Sequence, residues 1–156
     1  MDKQNILTGE LVKLLNGGTA HAGLDDALAG LTAEQAGMKV KELPYSIWQL
    51  AEHIRIAQWD MLEFSKDARH QSPNWPDAYW PKEAAPADEK AWKHCLSQIR
   101  KDLDEFTALV KTGDLYTPFP HGKGQTLLRE ALQLADHNAY HTAEIIVIRR
   151  LLGLWK

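Results

Sequence analysis

Three histidines in this chain have the residue type and the spacing to bind one metal ion: His53, His137 and His141. Residues four apart lie on one side of an α-helix, about one turn from each other. The imidazoles of His137 and His141 can therefore reach the same ion. His53, on a neighbouring helix, would complete a three-nitrogen site with open coordination positions, which is the arrangement of a catalytic metal rather than a closed structural one.

The hydrophobic pattern predicts the helices that would carry these histidines. Apolar residues recur at helical spacing in almost every segment of the chain. Residues 7–31 are expected to form one element that is kinked at a pair of glycines. The second helix starts at Ser46 and Gln49, whose spacing matches a capping box, and its apolar stripe continues to Phe64, with His53 beside the stripe.

The second half of the chain predicts two further helices. The third covers residues 92–110, and the fourth begins after Thr126 and covers residues 127–152. His141 falls inside the apolar stripe of the fourth helix and His137 flanks it, so both rings should face inward, where an unpaired polar group is costly. Strand signals are nearly absent. Four long helical elements are typical of an antiparallel four-helix bundle, and residues 1–156 are expected to form one domain.

A long segment without helical periodicity separates the second and third helices. It covers residues 67–86 and contains four prolines. Segments of this length in a compact domain are usually functional loops or disordered. Trp75, Tyr79 and Trp80 argue against disorder, because disordered segments are poor in aromatic residues. We expect an ordered loop whose aromatic side chains form a wall beside the histidines.

The overall composition excludes several classes of partner. The formal net charge is −3 and the pI is about 6.1, so nothing indicates electrostatic binding to nucleic acid or to an anionic membrane. No stretch approaches the roughly 20 apolar residues that a membrane span requires, and residues 1–5 lack the apolar run that is typical of a signal peptide. Cys95 is the one cysteine, which fits a reducing compartment. A cytoplasmic location is expected.

The ligand type narrows the choice of metal. Imidazole nitrogen suits zinc, nickel, copper or iron, and a site made only of histidines argues against magnesium and calcium. A di-iron carboxylate bundle would need Glu-x-x-His motifs, and no glutamate stands three residues before any of these histidines. Hydrolysis of the His-Glu-x-x-His type needs a glutamate general base. Asn138 stands at that position.

Three short segments carry a resemblance to a known family: Trp-Gln-Leu-Ala-Glu-His at 48–53, His-Asn-Ala-Tyr-His at 137–141 and Arg-Arg-Leu-Leu-Gly at 149–153. With the order and length of the helices, they resemble the DinB-like (DinB/YfiT-like) superfamily of four-helix-bundle proteins. The resemblance implies that His53, His137 and His141 bind a divalent metal, typically nickel or zinc. It also implies a homodimer.

The same resemblance indicates a class of chemistry. The superfamily includes S-transferases and isomerases that use low-molecular-weight thiols such as bacillithiol or mycothiol. The first hypothesis is therefore a metal-dependent enzyme acting on a small molecule, either a hydrolase or a thiol-dependent transferase. The competing hypothesis is a non-catalytic bundle that binds a metal or a ligand and acts as a dimeric interaction or stress-related protein.

Other polar residues are weaker candidates for catalysis. Glu130 and Asp60 each lie seven residues from a metal-ligand candidate, on the same side of its helix. Tyr140 and Arg149 could hold a substrate carboxylate, and His21 could reach the open end of the site. Each has a simpler explanation: a first-turn acid favoured by the helix dipole, or a solvated surface residue.

Overall fold

The structure is a computed structural model that describes residues 3–155, and within that range it contains helices and no strand. This all-α composition agrees with a helical bundle. The helices are α1 (Lys3–Leu15), α2 (Leu24–Leu28), α3 (Ala33–Gly37), α4 (Ile47–Lys66), α5 (Glu89–Thr112) and α6 (Leu127–Leu151), and a single 3-10 turn covers Asp77–Tyr79. None of these helices combines the length and apolarity that crossing a membrane requires.

The prediction of one kinked element over residues 7–31 is wrong. Gly17 and Gly18 have φ values of 94° and 63°, a backbone region that glycine enters readily and that ends a helix. The chain then forms the separate short helices α2 and α3, which contribute Ala27, Leu28 and Ala36 to the core. α3, which the hydrophobic pattern did not predict, begins at its own capping box.

The predicted start of α4 is confirmed. The Ser46 side chain accepts a hydrogen bond from the Gln49 N–H, and the Gln49 side chain accepts one from the Ser46 N–H. The Ser46 hydroxyl also donates to the carbonyl of Ala84, at 2.5 Å. Ser46 therefore joins the first turn of α4 to the end of the following loop.

Contacts along the helices give their relative directions. Near the start of α4, Tyr45 bonds to Glu144, and further along, Gln58 bonds to Asn138. Residue numbers thus rise along α4 while they fall along α6. The two helices that carry the histidines are antiparallel.

α4 and α5 run in the same direction, contrary to the antiparallel arrangement predicted for the whole bundle. Trp48 packs on Trp92 with 6.3 Å between ring centroids, and Lys66 at the far end of α4 pairs with Glu105 at 2.6 Å. The physical reason lies in the segment between them. A 20-residue helix is about 30 Å long, and residues 67–88 are numerous enough to return over that distance.

This returning segment follows α4 back toward its first turn. The contacts in chain order are His70 with Asp60, Tyr79 with His53, Pro81 with Gln49 and Ala84 with Ser46. Most of these bonds use backbone carbonyls of the loop. The loop therefore lies along α4, beside the helix that carries His53.

Two apolar clusters of the core lie on either side of a polar layer. One contains Ile54, Trp92 and Ile145, and the other contains Phe106 and Leu134. Between these levels, Gln58, Asn138, Thr142, His53 and His141 are all buried. The Gln58 amide donates to the carbonyl of Ile99 at 2.6 Å, and the Asn138 amide donates to Gln58 at 3.0 Å. This chain of hydrogen bonds links α5, α4 and α6 at the level of the histidines.

Replacing Ser46 with alanine should destabilise the fold. The variant loses an N-cap and a buried hydrogen bond to the loop, so we expect the free energy of unfolding to fall by about 1–2 kcal/mol. Urea denaturation measures this. Ser97→Ala is the matched control, because Ser97 is exposed within α5. Equal stability of the two variants would contradict the role given to Ser46.

Candidate metal centre

The structure brings His53 of α4 together with His137 and His141 of α6. A ligand nitrogen of each ring lies within 4.8 Å of those of the other two. The Nε2 atoms of His53 and His137 are 3.0 Å apart, and the ring centroids of His53 and His141 are 4.7 Å apart. His53 is only 2% exposed. These are the three residues that the helical spacing selected.

The backbone of the loop fixes the orientation of His53. Its Nδ1 lies 3.0 Å from the carbonyl oxygen of Tyr79. A carbonyl can only accept a hydrogen bond, so Nδ1 carries the proton. The lone pair of the neutral ring is then on Nε2, which faces His137. This is the tautomer that a metal-binding histidine needs, with the opposite ring nitrogen held by a hydrogen bond.

A carboxylate orients His141 in the same way. Its Nδ1 lies 2.6 Å from an oxygen of Glu144, which leaves Nε2 available. The other Glu144 oxygen accepts a hydrogen bond from the hydroxyl of Tyr45. That hydrogen bond is the main reason that the pKa of Tyr45 is raised to about 12, with burial adding to it. Tyr45 therefore stays protonated and continues to donate.

Sequence reasoning missed both Glu144 and Tyr45. Glu144 had a usable signal, because it follows His141 by three residues and so lies on the same side of α6. Tyr45 had none, since it precedes α4 and meets Glu144 only in the folded chain.

Trp80 covers the His53 ring. The two rings stack with 3.9 Å between their centroids and 6° between their planes. The Tyr45 ring also stacks on Trp80, with 5.8 Å between centroids. Of the predicted aromatic wall, Trp80 thus touches the histidines. Tyr79 contributes its carbonyl, and Trp75 is 72% exposed and contacts the Tyr79 ring.

Two of the histidine rings, those of His53 and His137, are held in the neutral form. Burial, together with repulsion from His141 and His53, lowers the pKa of His137 to about 4. Burial also lowers the pKa of His53. Near neutral pH these two rings therefore keep their lone pairs. His137 Nδ1 is buried and has no hydrogen-bond partner among the side chains of residues 4–155.

Asp60 holds the loop. Its two oxygens bond to the Tyr79 hydroxyl at 2.6 Å and to His70 Nε2 at 2.7 Å. Since the Tyr79 carbonyl contacts His53, Asp60 acts on the histidine site through the loop. It makes no hydrogen bond to a ring of the three histidines.

Glu130 is buried in the first turn of α6. It is 6% exposed, and among the side chains of residues 4–155 its carboxylate makes no hydrogen bond or ion pair. Burial raises the pKa of Glu130, the charge of Arg129 lowers it and that of Asp60 raises it. Glu130, Asp60 and His137 line the same cavity, which has a volume of about 310 Å³.

The remaining candidates are Tyr140, Arg149 and His21. Tyr140 is 64% exposed and contacts the His141 ring, with 4.9 Å between centroids. The role suggested for Arg149 is wrong, because its guanidinium donates to the carbonyls of Ala27 and Leu154 and so joins α2 to the end of α6. His21 is exposed and lies outside the three-histidine group.

Replacing Glu130 with glutamine should raise stability at neutral pH. The raised pKa means that the folded protein holds this proton more tightly than the unfolded chain. Stability is therefore lost as pH rises above the ordinary glutamate value. Glutamine removes this loss, so the advantage of the variant in free energy of unfolding should grow between about pH 4 and about pH 8. Urea denaturation at both values measures it.

The exposed Glu42 supplies the control for that measurement, since Glu42→Gln should change stability little at either pH. A Glu130→Gln variant that loses stability at the higher pH would show instead that the carboxylate has a favourable partner in the folded protein.

Comparison with known proteins agrees with this arrangement. A family model described as the DinB superfamily matches residues 19–145, a range that includes the three histidines, Glu130 and Glu144. Searches of curated proteins and of solved structures gave no match. Because the family model covers most of the 156 residues, the chain belongs to the DinB superfamily.

Proposed function

We propose that this protein is an enzyme that depends on a divalent metal bound by His53, His137 and His141. The observation that carries the proposal is the convergence of three histidines within 4.8 Å in a buried polar layer. Hydrogen bonds from Nδ1 to the Tyr79 carbonyl and to the Glu144 carboxylate leave Nε2 of His53 and His141 facing the other rings. Buried histidines whose only purpose was packing would not need this shared orientation.

The three rings fit a transition metal. Nitrogen ligands bind such ions at about 2.1 Å, so two ligands of one ion lie no more than about 4.2 Å apart. The separation of 3.0 Å between His53 and His137 Nε2 is within that limit. Imidazole ligands suit nickel and zinc, and the family resemblance favours the same two metals.

Three neutral ligands leave the full positive charge on the ion. Such a metal supplies a nucleophile at neutral pH, by lowering the pKa of a bound water to about 7 or by binding a thiol as thiolate. We therefore propose a hydrolase or an S-transferase that uses a low-molecular-weight thiol. The surrounding residues have separate tasks. Tyr79 and Glu144 orient the ligand rings, and Trp80 keeps water from His53.

A non-catalytic binding protein is the second candidate, and one observation favours it. The 3.0 Å between the Nε2 atoms of His53 and His137 is also the length of a hydrogen bond. The two rings could therefore satisfy each other without a metal. Removal of the metal separates the two functions, because a catalytic ion leaves a folded protein whereas a structural ion is needed for folding. A cytoplasmic homodimer stays a prediction.

Metal content tests the site. Purified tag-free protein, analysed by plasma mass spectrometry, should contain about one transition metal per chain. The His137→Ala/His141→Ala variant should contain essentially none, because only one ligand remains. His94→Ala should keep the metal, since His94 is exposed on α5 outside the group.

Turnover then tests catalysis. Thiol transfer and hydrolysis are assayed on wild type and on His141→Ala, before and after treatment with a chelator. We expect metal and activity to be lost together while circular dichroism shows a folded protein. Full turnover without metal would overturn the proposal, and so would a wild type that takes up neither nickel nor zinc on reconstitution.

Glu144 should tighten metal binding by holding His141. Replacement of such an orienting group costs roughly 10–100-fold in metal affinity. We expect Glu144→Gln to lose affinity in this range and Tyr45→Phe to lose less, because Tyr45 acts only through Glu144. Competition with a fluorescent chelator measures the affinity. Glu83→Gln, an exposed loop residue, is the control; unchanged affinity in Glu144→Gln would remove Glu144 from the site.

A further inference from the structure

The cavity that reaches His137 lies between α4, α6 and the loop after α4. Its volume is about 310 Å³, and its walls include Ala57, Phe64, Tyr79 and Glu130. This size suits a small organic molecule. Because His137 lines it, a molecule in the cavity has one end at the candidate metal centre.

The two acids of the cavity are each seven residues from one of the three histidines. Asp60 follows His53 by seven residues, and Glu130 precedes His137 by seven. α4 and α6 are antiparallel, so these steps lead toward the same end of the bundle. Seven residues of helix advance about 10 Å. Both carboxylates thus stand about two helical turns from the histidines, and the cavity continues past them to Phe64 and Gln125.

The two acids differ in what they can offer a ligand. Asp60 already bonds to Tyr79 and His70. Glu130 is 6% exposed, lines the cavity, and among the side chains of residues 4–155 has no hydrogen-bond or ion-pair partner. A buried carboxylate without a partner is costly. Arg129 also lines the cavity, and its positive charge acts on Glu130 more strongly than the negative charge of Asp60 does. The Arg129 side chain is exposed, so solvent screens part of its charge, and burial stays the largest influence on Glu130.

We propose that this cavity is the substrate pocket and that Glu130 binds an ammonium group at the end of the substrate remote from the metal. A cation beside Glu130 offsets the cost of burying its charge and forms a charge-assisted hydrogen bond. Ala57 and Tyr79 line the part of the cavity between Glu130 and His137, where the rest of the molecule would lie. The substrate class is a small primary amine whose reactive group lies about 10 Å from the nitrogen. The placement of the reactive group rests on the proposed function; the ammonium site does not.

A matched pair of probes tests the ammonium site. 2-Phenylethylamine and 2-phenylethanol have the same size and ring, and only the amine is charged at neutral pH. Isothermal titration of both probes is carried out on wild type, Glu130→Gln and Glu42→Gln, with and without metal. We expect wild type and Glu42→Gln to prefer the amine by about tenfold or more. Glu130→Gln should bind both probes with similar affinity.

Several results would overturn the proposal. They are equal affinity of wild type for the two probes, binding of neither probe, and an unchanged preference in Glu130→Gln. Unfolding of the variant is not expected, because glutamine has the shape of glutamate and removes a buried charge. The metal-free titration separates this proposal from the proposed function. A preference for the amine in a protein that binds no metal would support the ammonium site and contradict the proposed metal enzyme. A protein that binds metal but shows no preference would contradict the ammonium site and leave the proposed function standing.

Discussion

The hydrogen bond between His53 Nδ1 and the Tyr79 carbonyl is the interaction on which the site depends. His53 is 2% exposed, and a buried imidazole must have partners for both ring nitrogens. The loop satisfies one nitrogen through its backbone and thereby directs the other at α6. If the loop were displaced, the ring could rotate and the buried nitrogens would lose their partners. The position of the loop and the tautomer of His53 are therefore coupled.

The loop in turn is fixed by side chains of α4. Asp60 bonds to the Tyr79 hydroxyl, and Ser46 bonds to the Ala84 carbonyl. Between these points Trp80 stacks on His53 and adds apolar contact. α4 thus supplies both a metal-ligand candidate and the groups that hold the segment orienting it. Changes well away from the three histidines, at either end of the loop, should consequently be felt by His53.

The sequence could predict the histidine site because the positions of the histidines follow the periodicity of an α-helix. The four-residue spacing and the apolar stripe determine which way His137 and His141 face, and the same reasoning applies to His53 in α4. Buried capping residues such as Ser46 follow from local rules. Glu144 was within reach of the same rule, at three residues from His141, and was missed because glutamates on helices are usually solvated.

The features that the sequence could not predict depend on the path of the chain in the folded protein. The length of residues 67–88 permits either a short excursion or a return along α4, so the parallel direction of α4 and α5 had no local signal. Gly17 and Gly18 indicate a break, yet the number of helices after it depends on how α2 and α3 pack. The partners of Arg149 are backbone carbonyls from α2 and from the C-terminal segment, which only the folded chain brings together.

The direction of α5 also shapes the cavity beside the site, because the segment that returns along α4 supplies part of its wall. Returning along α4 places the Tyr79 side chain and Trp75 in that wall and the Tyr79 carbonyl on His53. Glu130 stands in the first turn of α6, where an acid is usually solvated, yet it is 6% exposed and lines the same cavity as Tyr79 and Trp75. The loop and the buried acid of α6 thus contribute walls to one cavity, the cavity for which the ammonium site is proposed.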